Sequence, residues 1–132
     1  MSETLIFAYG SFLKGEADHA LLSPCECLGS SRTQPGYRLV ELSTFPALIE
    51  TGDLSIVGEL YSVPHQVLMS LDAKKEIGRL FHRRAIQLES GQSAQAYLMD
   101  EQQVRGRRRL TTSDWRLRFA AVPRRNDGPR RF

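Results

Sequence analysis

Short apolar runs with strand-like alternation, separated by glycine- and proline-containing breaks, fill most of the first hundred residues. Leu5-Ile6-Phe7-Ala8-Tyr9 is aromatic and β-branched and carries no polar position, which predicts a buried strand. It stops at Gly10-Ser11. From Ala17 to Ser23, Ala20-Leu21-Leu22 predicts a short helix that Pro24 ends. Leu28-Gly29-Ser30-Ser31 reads as a turn, and the alternation from Tyr37 to Leu42 as a strand. Phe45-Pro46-Ala47-Leu48-Ile49 has proline at its head and predicts an edge or irregular strand. Thr51-Gly52-Asp53 reads as a hairpin turn. Ile56 to Val63 is the strongest strand pattern, and Gly58 within it marks a bulge or a close backbone approach. Pro64 then opens a helix on which Val67, Leu68 and Leu71 share one face. Ala73 to Arg79 reads as a loop ended by Gly78. Phe81–Glu89 and Ala94–Met99, on either side of Ser90-Gly91-Gln92, predict the last two strands.

Mixed element order with short links predicts an α+β domain: a small, mainly antiparallel β-barrel or curved sheet with two or more short helices. The expected domain covers residues 1–122. Residues 123–132 are arginine-rich, hold proline and glycine, and offer almost nothing to bury, so a basic disordered tail is expected there. Asp114-Trp115-Arg116-Leu117-Arg118-Phe119, just before it, carries two aromatics that can dock on the body.

Composition narrows the function classes. A chain of 132 residues suits one domain with its own core. No apolar run is long enough to span a bilayer. Met1-Ser2-Glu3-Thr4 lacks the basic start of a secretory signal, so a cytoplasmic protein is expected. Cys25 and Cys27 are too close for an easy disulfide and have no second pair for zinc, which predicts free thiols. His65 and His82 share no metal-ligand spacing with a carboxylate or cysteine, and neither metal nor cofactor is expected. Charge is uneven: residues 1–100 carry a net −4 and residues 101–132 a net +7. The basic end has little aromatic interleaving beyond Trp115 and Phe119, which argues against a nucleic-acid partner.

The chemistry points to the end of the first strand. A strand that runs into a glycine turn presents successive backbone N–H groups, a common cradle for a carboxylate or phosphate. Tyr9, Gly10, Ser11, Phe12 and Leu13 are therefore the candidate ligand-binding residues.

These residues, with others in order along the chain, resemble the gamma-glutamylcyclotransferase-like family. The family's Tyr-Gly-(Ser/Thr)-Leu turn is matched by Tyr9-Gly10-Ser11-Phe12, with Phe for Leu. Gly15, Asp18-His19 and Leu22 follow, then Leu28-Gly29, Thr33 and Tyr37. Phe45-Pro46-Ala47-Leu48 stands for Tyr-Pro-Ala-Leu, and Val57-Gly58-Glu59-Leu60-Tyr61 with Val63 matches Val-x-Gly-Glu-Leu-Tyr-x-Val. Leu71-Asp72 and Phe81-His82-Arg83 complete the pattern over about residues 4 to 100, and Asp114-Trp115 resembles a Gly-Asp-Trp of some bacterial members.

The resemblance implies a small-molecule substrate bearing a γ-glutamyl group. Its α-amine attacks its own γ-carbonyl, closes a lactam, and releases 5-oxoproline and an amine. The family uses a glutamate as general base four residues after the Leu of Leu-Asp. Here that position is Lys75, and Glu76 is its neighbour, so Glu76 is the candidate catalytic residue. Two readings follow: a cyclotransferase that uses Glu76, or a non-catalytic member that binds a small carboxylate. Glu59, which can face the pocket, solvent or Arg83, is a reserve candidate, and Tyr9 and His19 each have a structural alternative.

Overall fold

The computed structural model describes residues 3–119. The expected 123–132 tail lies outside them. The first strand, β1 (Glu3–Ala8), passes into a 3-10 turn at Gly10–Phe12, and a second 3-10 turn spans His19–Leu21. β2 (Glu26–Arg32), β3 (Tyr37–Glu41), β4 (Pro46–Leu54) and β5 (Val57–Pro64) follow. The helix α1 (His65–Lys74) precedes β6 (His82–Gln87) and β7 (Ser93–Leu98), with 3-10 turns at Glu101–Val104 and Trp115–Leu117.

All seven strands lie in one mixed sheet, ordered β2-β5-β1-β7-β4-β3, with β6 also paired to β7. β1 and β5, β2 and β5, β3 and β4, and β6 and β7 run antiparallel. β1 meets β7 in parallel at Ile6 and Gln95, and β4 meets β7 in parallel at Leu48 and Leu98. Because β6 takes the other edge of β7, β1 and β4 share one edge and splay apart there. The sheet is curved but does not close into a barrel; one isolated bridge, Thr33 with Leu88, ties the end of β2 toward the end of β6.

Alternation in β1 feeds two cores. Ile6 and Ala8 pack with Leu68 and Leu71 of α1, together with Tyr61, Val63, Tyr97 and Met99. Phe7 packs on the opposite face with Leu39, Leu48, Leu60, Leu98 and Trp115. β1 is therefore apolar on both sides because it is central. Gly58 is the expected close approach: a Cβ there would strike the Ala8 carbonyl and the Phe7 ring. Trp115 docks at 2 % exposure, whereas Phe119 stays exposed.

Four local expectations are corrected. Leu28–Ser31 belongs to β2, where a register shift between Cys27 and Gly29, with Gly29 at φ +112°, disguises the strand. Thr51–Asp53 makes no hairpin turn; β4 continues to Leu54 through a register shift opposite Tyr37/Arg38, and the chain reverses at Ser55-Ile56. β4 is not an edge strand but lies between β3 and β7, which Pro46 tolerates at the strand's first position; the irregular alternative holds at the register shift. The helix extends to Lys74, so the loop begins two residues later than Ala73.

Candidate active site

Three strands deliver phenylalanines to one place. Phe12 follows β1, Phe45 precedes β4 and Phe81 precedes β6. Lys75, the C-cap of α1, inserts its side chain among them. Its Nζ lies 4.4 Å from the Phe81 ring centroid, 4.8 Å from Phe12 and 5.1 Å from Phe45. Lys75 is 7 % exposed. Burial penalises its ammonium and pulls its pKa down to about 8, against an opposing pull from the Asp18 carboxylate. A cavity of about 230 Å³ opens here, lined by Asp18, Phe45, Lys75, Glu76, Leu80 and Phe81 among others.

Glu76 borders the same cavity but points differently. Its φ of +48° is left-handed, which among the described residues no other non-glycine adopts. Its Oε1 accepts from Arg79 Nε at 2.9 Å and pairs with Nη2 at 2.8 Å, and its side chain is 43 % exposed. Of the two neighbours, Lys75 is buried at the Phe12 side and Glu76 faces the rim.

The Gly10–Leu13 turn abuts this cage through Phe12. Gly10 has φ +65°, and a Cβ there would strike the Pro46 ring. The Phe12 and Leu13 amides close the turn onto Tyr9 and Gly10 carbonyls at 3.3 and 3.1 Å. The Ser11 hydroxyl is buried, with no hydrogen-bond partner among the described residues. Tyr9 acts as a splice. Its hydroxyl donates to the Tyr97 carbonyl at 2.6 Å and accepts from the Leu48 amide at 3.1 Å, linking β7 to β4 beside their bridge. Both bonds are internal, so the Tyr9 hydroxyl is spent on the fold.

Glu59 is also spent. Its carboxylate accepts from the Lys14 amide at 3.1 Å, the Tyr61 hydroxyl at 2.9 Å and Arg116 Nη2 at 2.9 Å. Burial pushes its pKa up, but these three donors outweigh burial and hold it below the usual carboxylate range. Arg116, not Arg83, is its partner. Arg83 grips Asp72 through Nε at 2.9 Å and Nη2 at 3.1 Å, and Tyr97 donates to the same carboxylate at 2.7 Å. His19 Nδ1 sits 2.9 Å from the Phe12 carbonyl and braces the turn. The cage itself went unseen in the sequence; the one signal was Lys75 at the spacing where the family places glutamate.

A larger groove of about 380 Å³ runs along residues 101–109. Exposed arginines and Glu101 line it, and it holds no buried titratable group. Among the described residues no three His, Cys, Asp or Glu side chains gather to hold a metal, and no helix is long and apolar enough to cross a membrane. Cys25 and Cys27 are free thiols.

The curved mixed sheet, the one α-helix among the described residues and the cavity at the strand ends define a small α+β domain. The chain belongs to the family described as Gamma-glutamyl cyclotransferase, AIG2-like, whose model matches residues 6–117. A Vibrio cholerae protein named "Putative gamma-glutamylcyclotransferase" is 34 % identical over 97 residues, covering 74 % of this chain and 83 % of that one. The solution structure of YtfP from Escherichia coli superposes with a TM-score of 0.67 at 28 % identity, over 85 % of this chain and 96 % of that one. The crystal structure of c4763 from uropathogenic E. coli gives a TM-score of 0.76 at 20 % identity, over 88 % and 94 %, and shows the shared fold.

Proposed function

We propose that the protein cyclises a small γ-glutamyl amide. The substrate's α-nitrogen bonds to its γ-carbonyl carbon, the amide C–N bond breaks, and 5-oxoproline and an amine leave. The observation that carries this reading is a cavity holding a buried, titratable side chain at Lys75, whose Nζ lies 4.8 Å from the ring of Phe12 in the Gly10–Leu13 turn. Holding both reacting groups in one molecule supplies most of the rate advantage, so the protein's task is to fold the substrate and manage a proton. In this reading the turn takes the α-carboxylate through the Gly10 and Ser11 amides, since the Phe12 and Leu13 amides are used in closing the turn, with the unpartnered Ser11 hydroxyl beside them.

A second reading has an observation of its own. Arg79 engages Glu76, and a lysine fills the position of the family's base. A member that binds a small carboxylate without turning it over fits that arrangement. One assay separates the two: 5-oxoproline release from a panel of γ-glutamyl amides and dipeptides, with binding measured in parallel by calorimetry. Release supports the cyclotransferase. Binding without release on every substrate supports the second reading. Glu76→Gln in the same assay decides the part of Glu76. A fall of ~10²–10⁴-fold assigns it the proton, and an undiminished rate removes it.

A further inference from the structure

Lys75 is a buried amine without a salt bridge among the described residues, acted on by the Asp18 carboxylate only across the cavity. Every charged group packed around it has another partner. Asp18, from the turn before His19, pairs with Lys74 at 3.5 Å. Asp72, one turn back on α1, is held by Arg83, and Glu76 by Arg79. Lys74, on the same helix, adds a like charge. Among the described residues no carboxylate comes within salt-bridge distance of Lys75 Nζ; it has three phenylalanine rings instead. Burial disfavours the ammonium, while the ring faces favour it. Burial wins, and the group titrates at about 8 rather than in the ordinary lysine range.

We infer that Lys75, as the neutral amine, is the proton acceptor of the site: its Nζ takes a proton from the α-ammonium of a γ-glutamyl amide and returns it to the departing amine. This rests on the cyclisation reading above. The protons balance within the site. The α-nitrogen gives up two protons between ammonium and lactam, and each passes through Nζ as it cycles from NH2 to NH3+ and back. The new N–C bond forms at the γ-carbon as the old C–N bond breaks, and the departing nitrogen receives both protons and leaves as an ammonium. A neutral lysine does not repel the incoming ammonium. Once it takes the proton, the Phe12, Phe45 and Phe81 faces stabilise the cation it has become. A glutamate base in this position would gain nothing from such rings, so the aromatic surround suits the residue that is present.

The test combines turnover with a titration. Lys75→Met and Lys75→Arg should each cut 5-oxoproline release ~10²–10⁴-fold, the second because a guanidinium cannot give up its proton near neutrality. Lys75→Glu should keep measurable release, with the rising limb of the pH–rate profile moved to lower pH. The Lys75 Cε resonance, assigned by its loss in Lys75→Met, should titrate with a midpoint of about 8 in heteronuclear NMR. A midpoint in the ordinary lysine range, about 10.4, overturns the inference whether or not the protein turns over. Undiminished release from Lys75→Met overturns it while leaving the cyclisation reading intact. Absence of release from the wild-type protein on every substrate, with the low midpoint present, overturns the cyclisation reading and the proton-acceptor role with it.

Discussion

Gly10 shows how much one residue can decide. Its φ of +65° lets the chain leave β1 and turn at once, and its missing side chain lets the turn sit on Pro46. An L side chain fails on both counts. Gly10→Ala should cost about 1–3 kcal/mol in urea unfolding and open the cavity's turn side. Gly15→Ala is the control: φ is +84°, but nothing lies within 4 Å of a Cβ there, so only the backbone term of about 1 kcal/mol should appear. Equal losses at the two positions would mean that contact with Pro46 is irrelevant. Gly10 was legible because a glycine ending an apolar strand has few other uses. The left-handed Glu76 was not, since nothing in Lys75-Glu76-Ile77 announces a positive φ.

At the scale of elements, the last 3-10 turn, Trp115–Leu117, acts as a clasp. Trp115 enters the second core at 2 % exposure, while Arg116 bonds the Lys14 carbonyl at 2.8 Å and the Glu59 carboxylate at 2.9 Å. One side chain thereby fastens the C-terminal segment to β5 and to the loop after the Gly10 turn. Glu59 has a folded pKa below its unfolded value of 4.5. The folded state binds fewer protons than the unfolded chain there, so this stabilisation is present above about pH 4.5 and is lost as pH falls through the folded pKa. Arg116→Ala should cost about 1–3 kcal/mol at pH 7 and progressively less as the pH is lowered and Glu59 takes up its proton. A loss that does not change with pH in urea titrations would show that the ion pair contributes nothing. Asp114-Trp115 was recognisable from the chain; its partner was not, because Arg116 and Glu59 are 57 positions apart.

The whole molecule keeps a buried amine at some expense to its stability. Lys75 has a folded pKa of about 8 against 10.5 for the free side chain. Between those values the unfolded chain holds more protons, so stability rises with pH across that window, and the full burial penalty applies below it. Lys75→Met, close in volume and uncharged, should therefore stabilise the fold by about 1–3 kcal/mol at pH 7, with the gain fading toward pH 10.5. Thermal unfolding across pH 6 to about 10.5 checks this. A variant less stable than the wild type at pH 7 would mean that the three rings more than repay the desolvation.

The sequence by itself determined the central strand, the glycine turn after it, the β5 strand with its close approach at Gly58, and the apolar face of α1. Each rests on a local signal: a period of two or 3.6, or a glycine where no side chain fits. The family followed from the order of such motifs. It did not determine β2, whose exposed, polar residues carry no burial period, or the continuation of β4 through Thr51-Gly52-Asp53. Nor did it give the site's inner arrangement. Phe12, Phe45 and Phe81 are scattered over 70 residues and meet because the end of β1 and the starts of β4 and β6 gather around the end of β7. Which of two adjacent residues enters the cage was settled by the last turn of α1, which aims Lys75 inward and sends Glu76 to Arg79. Local periodicity fixes which face of an element is apolar; only the packing of elements from distant parts of the chain sets what a side chain meets, and so whether its charge is comfortable.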